Sequence, residues 1–392
     1  MRYEFATAGR IVVGPGSSAD ILTLAEPLGR AALLVHSAGA VERGGGAADV
    51  IRRLHDSGRV AASFAIRGEP DIAAVEAAAQ AARAVGCDHV IGIGGGSVLD
   101  TAKAAAALAT NEGGALEYLE VVGAGRRLAS APLPMMAVPT TAGTGSEVTR
   151  NAVVAAPQQG AKASMRDAGM LPRVALVDSL LTHDLPPAAT ASCGMDALTQ
   201  LIESFVTRRA SPLTDGLCLE GLALARWALP RAYARPDDAE AREAMSAASL
   251  MSGLTLANAG LGAVHGIAAP LGGQFRAPHG AVCAALLAPV TEANLRALRS
   301  REPGSPALAR YARLGELLAG RRGASETEAA DGLVVWLRDL AAELNIAGLG
   351  AYGVTAGDIP GLAERALQAS STRGNPVAHT QAELEEAIAA AL

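Results

Sequence analysis

In the first half of the chain, short β-branched runs alternate with alanine-rich stretches of helical spacing: residues 31–36 (AALLVH), 46–57, 60–66, 71–85 and 89–93. Apolar runs of strand length, each followed by a segment with a 3.6-residue period, predict strand, helix, strand, helix, strand. That order implies parallel pairing with helices on both faces of a sheet. Near Asp178 the texture changes. Beyond Leu185 the β-branched runs vanish, and residues 238–257 and 329–344 keep helical spacing with Gly and Pro near their ends. The pattern predicts an α/β domain over residues 1–183 and an all-helical domain over residues 184–392, with the boundary inside residues 179–187 (SLLTHDLPP). A ligand crevice is expected between the two halves. Residues 301–306 and 321–325 read as polar loops, and no internal repeat is visible.

Composition agrees with this division. A chain of 392 residues exceeds the size at which one hydrophobic core stops growing. Half of the residues are apolar but only 3% are aromatic, and alanine, which loses no side-chain entropy in a helix, supplies much of the apolar content. A formal charge of −6 offers no basic footprint for a phosphate backbone, so nucleic acid is not expected as a partner. The four cysteines, Cys87, Cys193, Cys218 and Cys283, are scattered and show no paired spacing. Neither a disulfide scaffold nor a thiolate zinc site is therefore expected, and a reduced, cytoplasmic setting fits them. The opening MRYEFATAGRIVVG lacks the basic start and unbroken apolar run of a signal peptide, and no run of eighteen apolar residues occurs; no membrane partner is expected.

Two loops carry cofactor chemistry. In residues 90–103 (VIGIGGGSVLDTAK) a buried strand runs into Gly94, Gly95, Gly96 and Ser97 before a helix opens. Glycines let the backbone approach a phosphate, and a helix start offers free N–H groups and the positive end of its dipole. The spacing differs from the dinucleotide fingerprint G-x-G-x-x-G, and a tight turn without a ligand is the plain alternative. Residues 139–147 (PTTAGTGSE) follow a second strand-like run, 135–138. Two such loops after two strands point to a dinucleotide, although the Thr and Ser hydroxyls could simply satisfy turn backbone.

In their order, GGGSVLDTAK, PTTAGTGSEVT, GMDALTQLIE, GAVHGIAAPLGG and APHGAVCAALLAPV resemble the iron-containing (group III) alcohol dehydrogenase family, with similarity also to maleylacetate reductases. The resemblance runs from about Gly14 to the last helix. It implies the dehydroquinate synthase-like architecture: an N-terminal parallel-sheet nucleotide-binding domain, a C-terminal helical domain and an active site in the cleft between them. Since related folds also host dehydroquinate synthase and glycerol dehydrogenase, the site has to decide the function.

Carried over by position, the resemblance implies that Gly95, Gly96 and Ser97 hold the cofactor pyrophosphate and that Asp100 lies near the nicotinamide. Thr140, Thr141, Gly143 and Ser146 would meet the adenosine, ribose and nicotinamide portions, and Lys162 the nicotinamide ribose; a solvated loop lysine is the alternative for Lys162. At the end of the strand in residues 32–37 the family often has an aspartate that repels a 2′-phosphate. Ser37 stands there in this chain, so the cofactor is expected to be NAD or NADP, with NADP tolerated and modestly preferred. No arginine follows Ser37 directly, and Arg43 is the next one on.

For the metal the family uses one aspartate and three histidines. Asp196, His265 and His279 match, whereas Gln200 replaces one histidine. Asp196 and Gln200 are four apart on one helix and share a face. Three protein ligands can suffice for Fe2+ or Zn2+, and a glutamine carbonyl could coordinate weakly; affinity is expected to fall. At Ala269 several metal-dependent members have a histidine. Gln274 and Arg276 are placed to meet a substrate carboxylate, with surface placement as the alternative.

The expected function is hydride transfer between a nicotinamide and an alcohol or carbonyl carbon, the oxygen polarised by a divalent metal at Asp196, His265 and His279. Two rivals stand beside it. One is a metal-independent maleylacetate-type oxo-acid reductase in which His265 or His279 donates a hydrogen bond or acts as general acid. The other is a nucleotide-binding protein that has lost turnover. A small-molecule alcohol, aldehyde or oxo acid is the expected substrate, and a homodimer the expected assembly.

Overall fold

The computed structural model describes residues 2–275 and 277–392. Among these, strands β1 (Arg10–Val13), β2 (Ala32–Ser37), β3 (Val60–Ile66), β4 (His89–Gly94), β5 (Met135–Pro139), β6 (Asn151–Ala156), β7 (Ala161–Arg166) and β8 (Val174–Val177) all lie in the N-terminal half. That half also holds helices α1 (Ile21–Ala25), α2 (Ala38–Arg43), α3 (Gly46–Asp56), α4 (Ile72–Ala84), α5 (Gly96–Thr110) and α6 (Ala115–Tyr118). The C-terminal half is helical, with α7 (Pro187–Val206), α8 (Pro212–Ala234), α9 (Ala239–Ala259), α10 (Ala263–Gln274), α11 (His279–Arg301), α12 (Pro306–Leu318), α13 (Glu326–Glu343), α14 (Ile359–Gln368) and α15 (Gln381–Ala389).

Six strands form one sheet in the order β1-β8-β5-β4-β2-β3, every pair parallel. Side chains alternate across it. Leu33, Val35 and Val90 point into a core with α4 and α5, while Leu34, Ile91 and Ile93 pack with α1 and α3 on the other face. Strand β4 is buried along its whole length, which is why it reads as a continuous apolar run rather than an alternating one. Alanines of α5 (Ala102, Ala104, Ala105, Ala106, Ala107) are buried beside it, and their small side chains let helix and sheet approach closely.

Three elements escaped the sequence pattern. The edge strand β1 and the strand β8 are four residues each, too short for a period to show. The antiparallel hairpin β6–β7 stands apart from the main sheet, and its strands are built largely of Ala, Val and Ser around a turn at Pro157–Gln159. It places Lys162 on a strand rather than in a solvated loop.

In the helical half one large core joins α7 through α15. Helix α11 is long and apolar enough to cross a membrane by length and composition, but 78% of its apolar window is buried inside the structure, as expected of the central helix of a bundle.

Candidate active site

The connection leaving β2 runs to β3 on one side and the connection leaving β4 runs to β5 on the other, so the strand order reverses between β2 and β4. Ligand crevices of open α/β sheets lie outside the carboxyl ends of the strands at such a reversal. Ser37 ends β2 there, and Gly95, Gly96 and Ser97 link β4 to α5 beside it. Ser37 caps α2 by accepting the Ala40 N–H at 3.2 Å. A methyl group on Gly39 would fall 3.1 Å from the Arg43 guanidinium and 3.9 Å from Ser37 Oγ. Although six positions separate them in sequence, one turn of α2 thus folds Arg43 back toward Ser37.

The second loop packs directly on the first. Thr140 N–H donates to the Gly94 carbonyl at 3.0 Å, and a side chain on Gly96 would come within 2.7 Å of Thr144. Ser146 Oγ donates to Asp100 at 2.6 Å, and the other Asp100 oxygen accepts the Val153 N–H at 2.9 Å. Lys103, fully buried, lies 3.2 Å from Asp100 and donates to the Ser146 carbonyl at 3.0 Å and to Thr149 Oγ1 at 2.8 Å. Asp100 and Lys103 therefore pin the second loop and the hairpin to α5. On its far side the loop meets the helical half: Gly143 lies against Cys193 of α7, and Gly145 against Gly253 of α9 at a distance that leaves no room for a Cβ on either. Burial and the nearby Asp196 charge push the Cys193 thiol up to about 12, so it packs as an uncharged group. Lys162 pairs with Glu69 and lies beside Gly272 of α10, so it too sits where the halves meet.

Across that junction Asp196, His265, His279 and Cys283 converge, with one ligand-type atom from each lying within 4.8 Å of the others. Asp196 comes from α7, His265 from α10, and His279 and Cys283 from the first turns of α11. The Oδ1 atom of Asp196 is 3.4 Å from Nε2 of His265 and 3.7 Å from Nε2 of His279. Buried and without a hydrogen-bond partner among the described residues, that oxygen is orphaned. An orphaned buried carboxylate oxygen is costly unless a cation completes it. Glu203, one helical turn beyond Gln200, lies 2.6 Å from Nδ1 of His265 and also accepts the Val264 N–H at 2.7 Å. With Nδ1 held as donor, Nε2 keeps its lone pair free toward Asp196, the arrangement second-shell carboxylates impose on metal-binding histidines. The residues present fit a divalent ion.

The same groups also shift one another's protonation. Burial alone would raise the Asp196 carboxyl, yet the facing His279 and His265 hold it below the usual carboxylate value. Burial alone would lower His265, and the charges of Cys283 and Glu203 overcome this and hold the imidazole well above its ordinary value. The Cys283 thiol, against the same burial, is drawn down by His279 and His265. Gln200, in contrast, turns aside: its Oε1 accepts from Ser252 Oγ at 2.8 Å.

Residues 8–179 match the family described as iron-containing alcohol dehydrogenase, and residues 190–392 match the C-terminal domain of the same family. The chain belongs to the iron-containing alcohol dehydrogenase family. It is a nicotinamide-dependent oxidoreductase of the alcohol dehydrogenase class. Among its relatives, the probable alcohol dehydrogenase EutG of Escherichia coli is 34% identical over 93% of this chain and 88% of its own length. The NAD-dependent methanol dehydrogenase of Bacillus methanolicus is 33% identical over 97% of both. A crystal structure of 1,3-propanediol oxidoreductase superposes with a TM-score of 0.91 at 30% identity, covering both chains completely.

Several sequence expectations need adjustment within this iron-containing dehydrogenase. Four scattered cysteines predict no thiolate at a metal site; the structure places Cys283 among the ligand-type groups through a His279–Cys283 spacing of one helical turn. Gln274 lies on the surface, its amide engaged by Asp358 at 3.3 Å and Arg365 at 2.6 Å, and so is not directed at a substrate. Arg276 lies outside the described residues. Glu203 was missed because a lone glutamate on a helix reads as solvent-facing until α10 is packed over it.

Proposed function

We propose that this protein transfers hydride between C4 of a bound nicotinamide and the carbon of a small primary alcohol or its aldehyde, with Asp196, His265 and His279 holding a divalent ion, Fe2+ or Zn2+, at the substrate oxygen. The observation that carries this reading is the orphaned Asp196 oxygen facing two imidazole Nε2 atoms at the junction of the cofactor loops and the helical half. When bound, the ion supplies Lewis acidity toward the substrate oxygen and the nicotinamide supplies the hydride chemistry. Everything else falls to the chain.

Gly95, Gly96 and Ser97, at the start of α5, cradle the pyrophosphate with backbone N–H groups. Thr140, Thr141, Gly143 and Ser146 line the opposite wall, and Lys162 reaches the nicotinamide ribose from β7. Asp100 acts through Ser146 and β6 by setting the loop rather than by touching the ring. At the adenosine end, Ser37 removes the carboxylate that would repel a 2′-phosphate and Arg43 adds a cation, so NADP is accepted beside NAD. Glu203 fixes the His265 tautomer; Asp196 and His265 are buried, while the His279 side chain stays partly exposed. The chain's likeness to a methanol dehydrogenase and a 1,3-propanediol oxidoreductase supports a short alcohol. The metal-free reductase reading is disfavoured because it leaves the Asp196 oxygen uncompensated. A homodimer in a reduced cytoplasm, where the free cysteines stay thiols, completes the proposal.

The test is a nicotinamide-absorbance assay with short alcohols, aldehydes and oxo acids, using NAD(H) and NADP(H) in turn. Turnover of a short alcohol or aldehyde supports the proposal. Saturable cofactor binding with no redox change on any substrate overturns it in favour of a protein that only binds nucleotide.

A further inference from the structure

We infer that the Cys283 thiolate takes the place in the metal sphere that Gln200 has vacated, so that the ion is held by one carboxylate, two imidazoles and one sulfur and takes the substrate oxygen as a fifth ligand. The inference rests on the metal reading of the site given above and adds to it the identity of the fourth ligand.

Geometry carries it. With bond lengths of about 2.0–2.1 Å to nitrogen or oxygen and about 2.3 Å to sulfur, the edges of a tetrahedral site come to roughly 3.3–3.6 Å. Four of the observed edges are 3.4 Å (Asp196–His265), 3.7 Å (Asp196–His279), 3.7 Å (Cys283–His279) and 3.8 Å (Cys283–His265). The two carboxylate edges are longer than a hydrogen bond between a nitrogen and an oxygen, and all four edges lie within a few tenths of an ångström of those around a common centre. Cys283 is fully buried in the helical core, and there both imidazoles present Nε2 to its sulfur. His279 and Cys283 are four apart on α11 and project from one face, the spacing by which helices present ligand pairs.

Gln200 is withdrawn from the same centre. Its carbonyl oxygen, the one atom able to coordinate, is engaged by the Ser252 hydroxyl, which also lies 3.3 Å from the Gly143 carbonyl of the second cofactor loop. The glutamine thus joins α7 to α9 and the loop, while the ligand comes from α11. The exchange has a chemical consequence: a thiolate favours zinc, whereas a site of carboxylate and imidazole alone also suits iron.

Cobalt(II) substitution reads the sphere directly, because cobalt–thiolate bonds give an intense near-ultraviolet charge-transfer band that nitrogen and oxygen ligands do not. The full-length protein is stripped with a chelator and titrated with Co2+ under dialysis. The inference predicts one cobalt per chain with that band, and loss of the band in Cys283→Ser while cobalt remains bound and the weaker visible bands persist. Cadmium-113 NMR of the unsubstituted protein gives a second readout that needs no variant, a resonance displaced downfield by sulfur. Stoichiometric cobalt without the band, a band that survives in Cys283→Ser, or a cadmium shift typical of nitrogen and oxygen alone overturns the thiolate ligand and leaves the metal reading standing. Absence of stoichiometric binding by either ion overturns both.

Discussion

Glu203 Oε2 lies 2.6 Å from Nδ1 of His265, and this contact decides which face of the imidazole is available to the site. Replacing the carboxylate by an amide keeps the volume and an acceptor for the Val264 N–H, but one oxygen cannot serve both partners. Glu203→Gln is therefore expected to weaken metal binding by about 10–100-fold, as loss of an outer-shell carboxylate commonly does, with little change in fold. Competition against a chromophoric chelator measures it. An unchanged affinity would mean that the tautomer is set by something else.

Cofactor choice should turn on Ser37. A carboxylate introduced there faces the 2′-phosphate and also pairs with Arg43, removing the cation from its reach. Ser37→Asp is expected to lower kcat/KM with NADP(H) at least tenfold, about 1.4 kcal/mol, while activity with NAD(H) is kept. Equal effects on the two cofactors would place the adenosine ribose elsewhere.

Lys103 is a buried cation whose three partners belong to the hairpin and the second loop, apart from Asp100 on its own helix. Lys103→Met removes the cation beside Asp100 and the lysine donor of the Ser146 and Asn151 carbonyls, and the expected loss is on the order of 3 kcal/mol in urea unfolding, together with weaker cofactor binding. A variant with wild-type stability would show that the loop is held by its glycine contacts with α9 alone.

Glu147 adds a pH dependence. Burial raises its carboxyl from 4.5 to about 7, against the opposing pull of its own backbone N–H and Lys103. Between those two values the folded chain binds the proton more tightly than the unfolded one. The stability that Glu147 contributes is thus present in full at acidic pH and declines as pH rises toward 7, by on the order of 3 kcal/mol at most. Glu147→Gln should flatten this slope, so the variant gains on the wild type between pH 5 and pH 8 in denaturant titrations. Parallel curves would indicate that Glu147 is already ionised at pH 5.

Much of the sheet was legible because β2, β3 and β4 carry apolar runs bounded by turns, and the helical half because its segments are long and rich in alanine. The hairpin was not, since Ala, Ser and Lys in β7 give no clear alternation and its pairing is set by the turn at Gly160. For the site, Asp196, His265 and His279 could be named from motif positions, but what each does depends on neighbours from other helices. Glu203 is four residues from Thr199 and one turn from Gln200, with nothing in the sequence to show that α10 closes over it. Cys283 is visible in the HGAVC spacing as a cysteine one turn from a histidine, a pairing that cysteine-to-cysteine spacing does not show.

The proposed function requires an ion at Asp196, His265 and His279 for hydride transfer. It is tested most directly by measuring alcohol oxidation in protein shown by elemental analysis to be metal-free, before and after one equivalent of Zn2+ or Fe2+ is returned. The structure predicts activity that is lost on removal, restored by the ion, and not restored in Asp196→Ala; full activity in the verified metal-free protein would contradict it.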